Sequence, residues 1–216
     1  MLGFESQKRL FELIGKTLDK KLKCLVIGGS AMLFYSFTKT VTKDVDLVVA
    51  SENDRKTLAK TLERIGFKSK VVLPKKGDPV RLESNDTVLD LFSGYIFRIK
   101  VSEGILSRVT ERIEFGNLIV KVASPEDIIL SKSMTDRMGD REDAASIIKE
   151  KNVDWNAIID EVEWQSMNNP NVAFGVYLFD FLDDLVHDLK ADVPRNAIKR
   201  VTEIYEGLLD RTHKKK

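Results

Sequence analysis

The segment from residue 44 to residue 49 restricts the fold more than any other part of the sequence. It reads Asp-Val-Asp-Leu-Val-Val, an apolar run rich in β-branched residues that opens with two aspartates at alternate positions. Residues two apart in a β-strand point to the same face, so the carboxylates of Asp44 and Asp46 are expected to lie close together. Two like charges at this spacing repel each other unless a cation lies between them. The segment therefore predicts a strand at a cation-binding site.

The spacing of the two acids does not identify such a site by itself. The same spacing occurs four times, at Asp44/Asp46, Glu52/Asp54, Asp140/Glu142 and Glu161/Glu163. The last three pairs fall in predicted helices or helix caps, where residues two apart diverge by roughly 200° around the axis. Only the first pair is expected to converge. The alternative for that pair is two surface acids at the start of a strand.

A glycine pair precedes this strand. The apolar run at 24–27 ends in Gly28, Gly29 and Ser30, which predicts a strand followed by a tight turn. A turn without Cβ atoms lets backbone N–H groups approach a phosphate, and a short helix beginning at Ser30 would direct its positive end to the same place. The Ser30 hydroxyl would add another donor. The alternative is an ordinary turn between a strand and a helix.

A third acid lies in the strand-like run at 88–92, Val-Leu-Asp-Leu-Phe. An acid flanked by apolar residues in a strand needs a charged partner or a metal. Glu83, in contrast, lies near a predicted turn, where water would solvate its carboxylate. Magnesium suits these acids because it prefers carboxylate oxygens and completes its shell with water and nucleotide phosphates. Asp44, Asp46 and Asp90 are therefore the predicted catalytic and metal-binding residues, with Glu83 as the substitute for Asp90. The alternative for Asp90 is a structural, salt-bridged acid.

The kind of predicted element changes near residue 123. Before it, helices are predicted at 5–20, 30–37 and 52–65, and strands at 24–27, 45–49, 67–73, 80–83, 88–92, 112–115 and 118–122. After it, only helices are predicted, at 125–136, 141–150, 154–166, 171–189 and 195–210. The sequence therefore predicts an α+β fold, with a mixed-sheet domain at 1–123 and a C-terminal helical domain at 124–216.

Composition limits the kinds of site and partner. The 35 Lys and Arg residues nearly cancel the 34 Asp and Glu residues, so no overall positive field draws this chain onto nucleic acid. One cysteine and two histidines exclude an ordinary all-protein zinc site, and a reducing, cytoplasmic setting is expected. The longest uncharged stretch, 24–38, is too short to span a bilayer, and the first residues do not resemble a signal peptide. No membrane association is expected.

Three motifs in the first half resemble those of the nucleotidyltransferase superfamily that includes DNA polymerase beta. They are a glycine turn, a strand with alternating aspartates and a later strand with a third aspartate: Gly28-Gly29-Ser30, Asp44-Val45-Asp46 and Asp90. The resemblance implies a nucleotidyltransferase domain that moves a nucleoside monophosphate from an NTP to an acceptor hydroxyl. It implies that Asp44 and Asp46 hold two Mg²⁺ ions and that Asp90 activates the attacking hydroxyl, with pyrophosphate as the leaving group.

A segment of the second half is similar to the minimal and abortive-infection-type nucleotidyltransferases. It reads Ser-Pro-Glu-Asp-Ile-Ile-Leu-Ser-Lys at 124–132 and is followed by Arg137 and an acidic stretch at 140–143. The similarity implies a toxin–antitoxin-type enzyme in which Lys132, and with it Arg137, neutralises the triphosphate in a cleft between the two halves. The alternatives are a solvated Lys132 on a helix face and a structural ion pair between Arg137 and Asp140.

The nucleotide and the acceptor stay open at this point. The acceptor could be an RNA such as a tRNA, a protein or a small molecule, and a cognate antitoxin or a second copy of the chain are candidate partners. The predicted helix at 171–189 is apolar on more than one side, which fits either the centre of a helical bundle or a subunit contact. A different class of function is a non-catalytic nucleotide-binding or regulatory module that keeps the fold. The presence of all three acids argues against that class.

Overall fold

The computed structural model describes residues 1–35, 39–70, 77–85 and 87–213, with the backbone alone at 209–213. The chain divides into two compact units, which we call unit 1 (Met1–Ser124) and unit 2 (Pro125–Lys216). The last residues of the helix predicted at 30–37, and of the strand predicted at 67–73, lie outside the described residues. The predicted α+β class is confirmed, because strands and helices mix in unit 1 and the described part of unit 2 is helical.

Unit 1 contains all the described strands and four of the described helices. The strands are β1 (Leu2–Gly3), β2 (Leu22–Ile27), β3 (Val41–Thr42), β4 (Asp44–Val49), β5 (Lys68–Ser69), β6 (Val80–Ser84), β7 (Thr87–Ser93), β8 (Tyr95–Ile96), β9 (Ile99–Lys100), β10 (Glu111–Phe115) and β11 (Leu118–Val122). The helices are α1 (Phe4–Thr17), α2 (Gly28–Met32), α3 (Glu52–Arg64) and α4 (Glu103–Ser107).

A seven-stranded mixed sheet forms the centre of unit 1, in the order β10-β11-β2-β4-β7-β6-β5. β4 lies between β2, which runs antiparallel to it, and β7, which runs parallel. Burial alternates over the first half of β4: Val45 and Leu47 are buried, whereas Asp44 and Asp46 are half-buried. Val48 and Val49 at the end of the strand are both buried. The two acids therefore share the more open face of the strand at its start.

Local side-chain and backbone features set the ends of α3, and apolar packing fixes α1. The hydroxyl of Ser51 accepts a hydrogen bond from the backbone N–H of Asp54 at 3.1 Å, which caps the start of α3. Gly66, with φ of 97°, turns the chain just after that helix. α1 lies against the β10–β11 hairpin and contributes Phe11 and Ile14 to the core, both fully buried.

Unit 2 contains helices that pack around one central element. They are α5 (Pro125–Lys132), α6 (Met138–Glu150), α7 (Trp155–Asn168), α8 (Phe174–His187) and α9 (Arg195–His213). α6, α7 and α9 all contact α8, which buries Phe174, Leu178 and Phe181. The two apolar sides predicted at 171–189 are therefore explained by a central position in the bundle. None of the helices within the described ranges is both long and apolar enough to cross a membrane.

Candidate active site

The sheet places the three predicted acids on one face. Asp46 on β4 is the register partner of Asp90 on β7, and Asp44 lies two residues before Asp46. Register partners on neighbouring parallel strands point to the same side of the sheet, as do residues two apart on one strand. The Asp90 side chain is 15% exposed and that of Asp44 is 34% exposed. The structure therefore brings together the three residues that the sequence singled out; we call them the three acids.

The glycine turn lies directly beside these carboxylates. β2 pairs with β4 so that Ile27 is opposite Asp46, and the next residue, Gly28, has φ of 59°. A Cβ atom on Gly28 would lie 2.8 Å from Oδ2 of Asp46. A Cβ atom on Gly29 would lie 2.8 Å from Oγ1 of Thr42. Glycine is thus required here by the left-handed backbone and by the close approach of a site carboxylate.

Ser30 is hydrogen-bonded to the strand that carries Asp44 and Asp46. Its side chain is fully buried, and its hydroxyl donates to the backbone carbonyl of Asp44 at 3.0 Å. The hydroxyl of Thr42 donates to the same carbonyl at 3.0 Å, and the side-chain amide of Gln7 donates to the carbonyl of Ser30 at 3.1 Å. The helix α2 begins at Gly28 rather than at Ser30 and has only five residues. A direct contact of the Ser30 hydroxyl with a phosphate stays a prediction. The observed hydrogen bond from this hydroxyl to the Asp44 carbonyl stabilises the start of β4.

Arg81 is the site residue that sequence reasoning missed. It is the register partner of Asp90 across β6 and β7. Its Nη2 atom lies 3.4 Å from Oδ2 of Asp44, and its Nε atom lies 3.2 Å from Oδ1 of Asp90. The sequence carries a signal for this pairing. In a hairpin whose two-residue connection pairs Ser84 with Thr87, residue 81 necessarily pairs with residue 90. The guanidinium therefore supplies a positive charge between two of the acids.

The Asp90 carboxyl is partly buried and lies beside Arg81. Burial raises the pKa of Asp90, the charge of Arg81 opposes this shift, and the charge of Asp44 adds to it. Its Oδ1 atom is buried and accepts no hydrogen bond from the residues that the structure describes. The Nε atom of Arg81 is near enough for an ion pair with this oxygen but is not aligned for a hydrogen bond. A buried acceptor of this kind is costly unless something binds it.

The three acids match a magnesium site in donor chemistry. All the donors are carboxylate oxygens, one of them a buried atom without a hydrogen bond, and the adjacent glycine turn lets the Asp46 carboxylate approach the backbone closely. In the observed arrangement, no three His, Cys, Asp or Glu side chains in the described ranges come close enough together to hold a metal ion. The donor chemistry fits the ion, and the carboxylates would have to draw closer together to hold it.

The two residues that the resemblance assigned to the nucleotide lie in unit 2, in one network of ion pairs. The ammonium of Lys132 is 2.8 Å from Oδ1 of Asp140 and 2.6 Å from Oδ2 of Asp143, and the residue is 5% exposed. The Nε atom of Arg137 is 2.8 Å from Oδ2 of Asp140. The last contact is the structural ion pair named above as the alternative. Contact of Lys132 and Arg137 with a triphosphate stays a prediction.

Comparisons with known proteins cover solved structures, curated sequences and family models. Solved structures that match include ANT(2")-Ia in complex with adenylyl-2"-tobramycin, at 19% identity and a TM-score of 0.44, covering 82% of this chain and 98% of that chain. A nucleotidyltransferase-like antigenic protein from Paracoccidioides brasiliensis matches at 18% identity and a TM-score of 0.48, covering 91% of this chain and 98% of that chain. JHP933 from Helicobacter pylori matches at 16% identity and a TM-score of 0.43, covering 96% of this chain and 94% of that chain.

A search of curated protein sequences found no match. The model of one protein family, described as "Nucleotidyltransferase of unknown function (DUF6036)", matches residues 6–169. This match includes the glycine turn, the three acids and Arg81, and it covers more than half of the chain. The predicted resemblance to nucleotidyltransferases is thereby confirmed, and the chain belongs to this nucleotidyltransferase family.

Proposed function

We propose that the protein is a Mg²⁺-dependent enzyme that moves a nucleoside monophosphate from an NTP to an acceptor hydroxyl. The observation that carries the proposal is the register pairing of Asp46 with Asp90, which puts three carboxylates on one face of the sheet. The glycine turn lies against the Asp46 carboxylate and would offer backbone N–H groups to phosphate oxygens. Family membership supports the same reaction class.

Each acid has a role in this reaction. Asp44 and Asp46 would hold two magnesium ions, with Asp90 completing the site. When bound, magnesium supplies positive charge for the triphosphate oxygens and makes the acceptor hydroxyl easier to deprotonate. The Asp90 carboxylate accepts the proton of the acceptor hydroxyl, since a carboxyl whose pKa is raised by burial is a stronger base than an exposed one. The acceptor oxygen bonds to the α-phosphorus, the bond from that phosphorus to the bridging oxygen breaks, and pyrophosphate leaves.

The other predicted residues take supporting roles. Gly28 and Gly29 let the triphosphate approach the backbone, and Ser30 holds β4 through its bond to the Asp44 carbonyl. Lys132 and Arg137 would contact the triphosphate after Lys132 leaves Asp140 and Asp143 and Arg137 leaves Asp140. The acceptor is an RNA, a protein or a small molecule, and the resemblance of the segment at 124–132 supports a toxin–antitoxin role.

Labelled nucleotides test the reaction. Purified protein is incubated with Mg²⁺, each α-³²P-labelled NTP in turn, and total RNA, total protein or a small-molecule fraction. We expect one NTP to label one acceptor fraction with the wild type and not with Asp44→Asn/Asp46→Asn. Asp90→Asn should also lose transfer. Glu83→Gln is the matched control, because Glu83 lies on the same sheet face and pairs with Lys70 at 2.9 Å. Transfer that survives in Asp90→Asn and is lost in Glu83→Gln would assign the third acid to Glu83.

A non-catalytic nucleotide-binding module is the second candidate. The observation that favours it is the pair of contacts from Arg81 to Asp44 and Asp90, which lets the acids be neutralised by the protein itself. Such a module would bind an NTP with little dependence on Mg²⁺ and transfer no label. Equilibrium NTP binding with and without Mg²⁺ separates the two candidates, because the enzyme should need the metal for binding.

A further inference from the structure

Arg81 lies where it contacts two of the three acids from two different strands. Its Nη2 atom is 3.4 Å from Asp44 on β4, and its Nε atom is 3.2 Å from Asp90 on β7. We propose that Arg81 is a built-in competitor of the metal, which neutralises these carboxylates in the metal-free protein and leaves them when metal binds. The side chain then sets the metal affinity of the site. This inference rests on the proposed function, because it assumes that the three acids hold a metal.

The competition follows from charge and space. A guanidinium and a divalent cation that lie against the same two carboxylates compete for them, because like charges repel strongly at contact distance in a partly buried site. Arg81 contacts one oxygen of Asp44 and one of Asp90, two of the carboxylates that would bind the metal. Removing a positive charge from such oxygens makes them better ligands for another cation, so the loss of Arg81 should strengthen metal binding.

The observed contacts are of a kind that can exchange. The distances from Arg81 to the acids are longer than the 2.6 and 2.8 Å between Lys132 and its two carboxylates. Oδ1 of Asp90 receives no aligned hydrogen bond from Arg81. The Arg81 side chain is 44% exposed, so its head group can move into water at small cost. The backbone of Arg81 stays paired to β7 during this motion, and the sheet need not change.

An arginine elsewhere in the same sheet offers a matched control. Arg112 lies on β10, three strands away from β4 in the sheet order, and pairs with Glu114 at 2.9 Å. Arg112→Gln removes the same kind of side chain and the same charge as Arg81→Gln, but it does so away from the three acids.

Binding of Mn²⁺, followed by electron paramagnetic resonance, tests the proposal without relying on activity. We expect Arg81→Gln to bind Mn²⁺ on the order of tenfold more tightly than the wild type. Arg112→Gln should bind it as the wild type does. An equal or lower affinity in Arg81→Gln, or an equal gain in Arg112→Gln, would overturn the role of Arg81.

Thermal unfolding gives a second measurement on the same variants. Without metal, Arg81→Gln should melt below the wild type, because Asp44 and Asp90 lose their counter-charge; saturating Mg²⁺ should raise its melting temperature more than that of the wild type. If Arg81→Gln does not fold, Arg81→Met replaces it, because methionine keeps an unbranched stem without the charge. Tighter Mn²⁺ binding than in the wild type is then expected, and equal binding would contradict the proposal.

The two hypotheses fail in different ways. Mn²⁺ binding by the wild type that is lost in Asp44→Asn/Asp46→Asn, but unchanged in Arg81→Gln, would overturn this inference and leave the proposed metal site in place. Mn²⁺ binding by neither the wild type nor Arg81→Gln would overturn both.

Discussion

Gly28 is the position at which a single methyl group should do most harm to the site. Its φ is 59°, and a Cβ would meet Oδ2 of Asp46 at 2.8 Å. Gly28→Ala therefore costs about 1–2 kcal/mol of backbone strain and also displaces the Asp46 carboxylate. We expect nucleotidyl transfer to fall at least ~tenfold, since a small misplacement of a reacting group is expensive. Initial rates at saturating NTP, beside a thermal melt, measure both effects.

Gly94 provides the control for that substitution. It has φ of 64°, so Gly94→Ala carries similar backbone strain, but the nearest atom to its Cβ would be the carbonyl oxygen of Ala50 at an ordinary 3.7 Å. This variant should lose stability and keep its transfer rate. Equal losses of rate in the two alanine variants would mean that strain, rather than the Asp46 carboxylate, limits activity.

Which site residues can be read from sequence depends on how far apart the chain places them. Asp44 and Asp46 share a face because they are two apart in one strand, and this follows from local geometry alone. That Asp90 and Arg81 lie beside these two acids depends on strand order and register, which local geometry does not give. Lys132 was expected either at the nucleotide or in solvent, and its burial between Asp140 and Asp143 depends on how two helices pack.

At the scale of elements, α5 and α6 are joined by a charged cluster that should make unit 2 sensitive to acid. Burial raises the pKa of Asp140, but the charge and hydrogen bond of Lys132, with further donors from Thr135 and Arg137, outweigh burial and lower it overall. A lowered pKa means that the stabilisation is present above the unfolded value of about 4 and is lost as pH falls through the folded value. Unfolding by urea, followed by circular dichroism from pH 7 to pH 3, should show this loss.

Substitution at Asp140 isolates the contribution. Asp140→Asn leaves the buried Lys132 with one carboxylate fewer, so we expect it to lose about 3 kcal/mol at neutral pH and to lose less than the wild type on acidification. Asp160→Asn removes an exposed pair with Arg200 and should have a small effect at every pH. An unchanged acid sensitivity in Asp140→Asn would assign that sensitivity to other carboxyls.

A second prediction at this scale concerns the contact of α8 with α9. A Cβ on Gly175 would lie 2.6 Å from Cγ2 of Ile204, a short branch that cannot move far, whereas nothing lies within 4 Å of a Cβ on Gly207. Gly207→Ala should stabilise unit 2 by about 0.5–1 kcal/mol through the lower entropy of the unfolded chain. Gly175→Ala should destabilise it, because overpacking costs about 1–3 kcal/mol. Urea midpoints of the two variants would change in the same direction if the helices did not approach closely at Gly175.

Elements were predictable where periodicity and caps agree, and less so where tertiary pairing decides. α3 lies one residue from its predicted end, because its cap and its terminal glycine are local signals. The strands β1, β3, β8 and β9 have two residues each, too few for an alternating pattern, and were not predicted. α5 ends at Lys132 instead of the predicted residue 136, and the residues that follow it turn so that Thr135 and Arg137 reach Asp140.

At the scale of the whole molecule, the two units carry separate natural probes. Cys24, the single cysteine, lies on β2 of unit 1, and both tryptophans, Trp155 and Trp164, lie on α7 of unit 2. Cys24 is buried, and burial raises the pKa of its thiol to about 12, so it should react with a thiol reagent only when unit 1 opens. Thiol labelling therefore reports on unit 1, and tryptophan emission reports on unit 2.

These probes should respond differently to metal, because the three acids all lie in unit 1. Cys24 is the register partner of Val49 on β4, the strand that also carries Asp44 and Asp46, so metal bound to these acids would stabilise the strands around the thiol. We expect saturating Mg²⁺ to raise the urea midpoint of Cys24 labelling and to shift the tryptophan midpoint less. Asp44→Asn/Asp46→Asn should show neither shift. Equal shifts of both probes in the wild type would mean that the two units unfold together, because a cooperative transition carries stabilisation of one unit to the other.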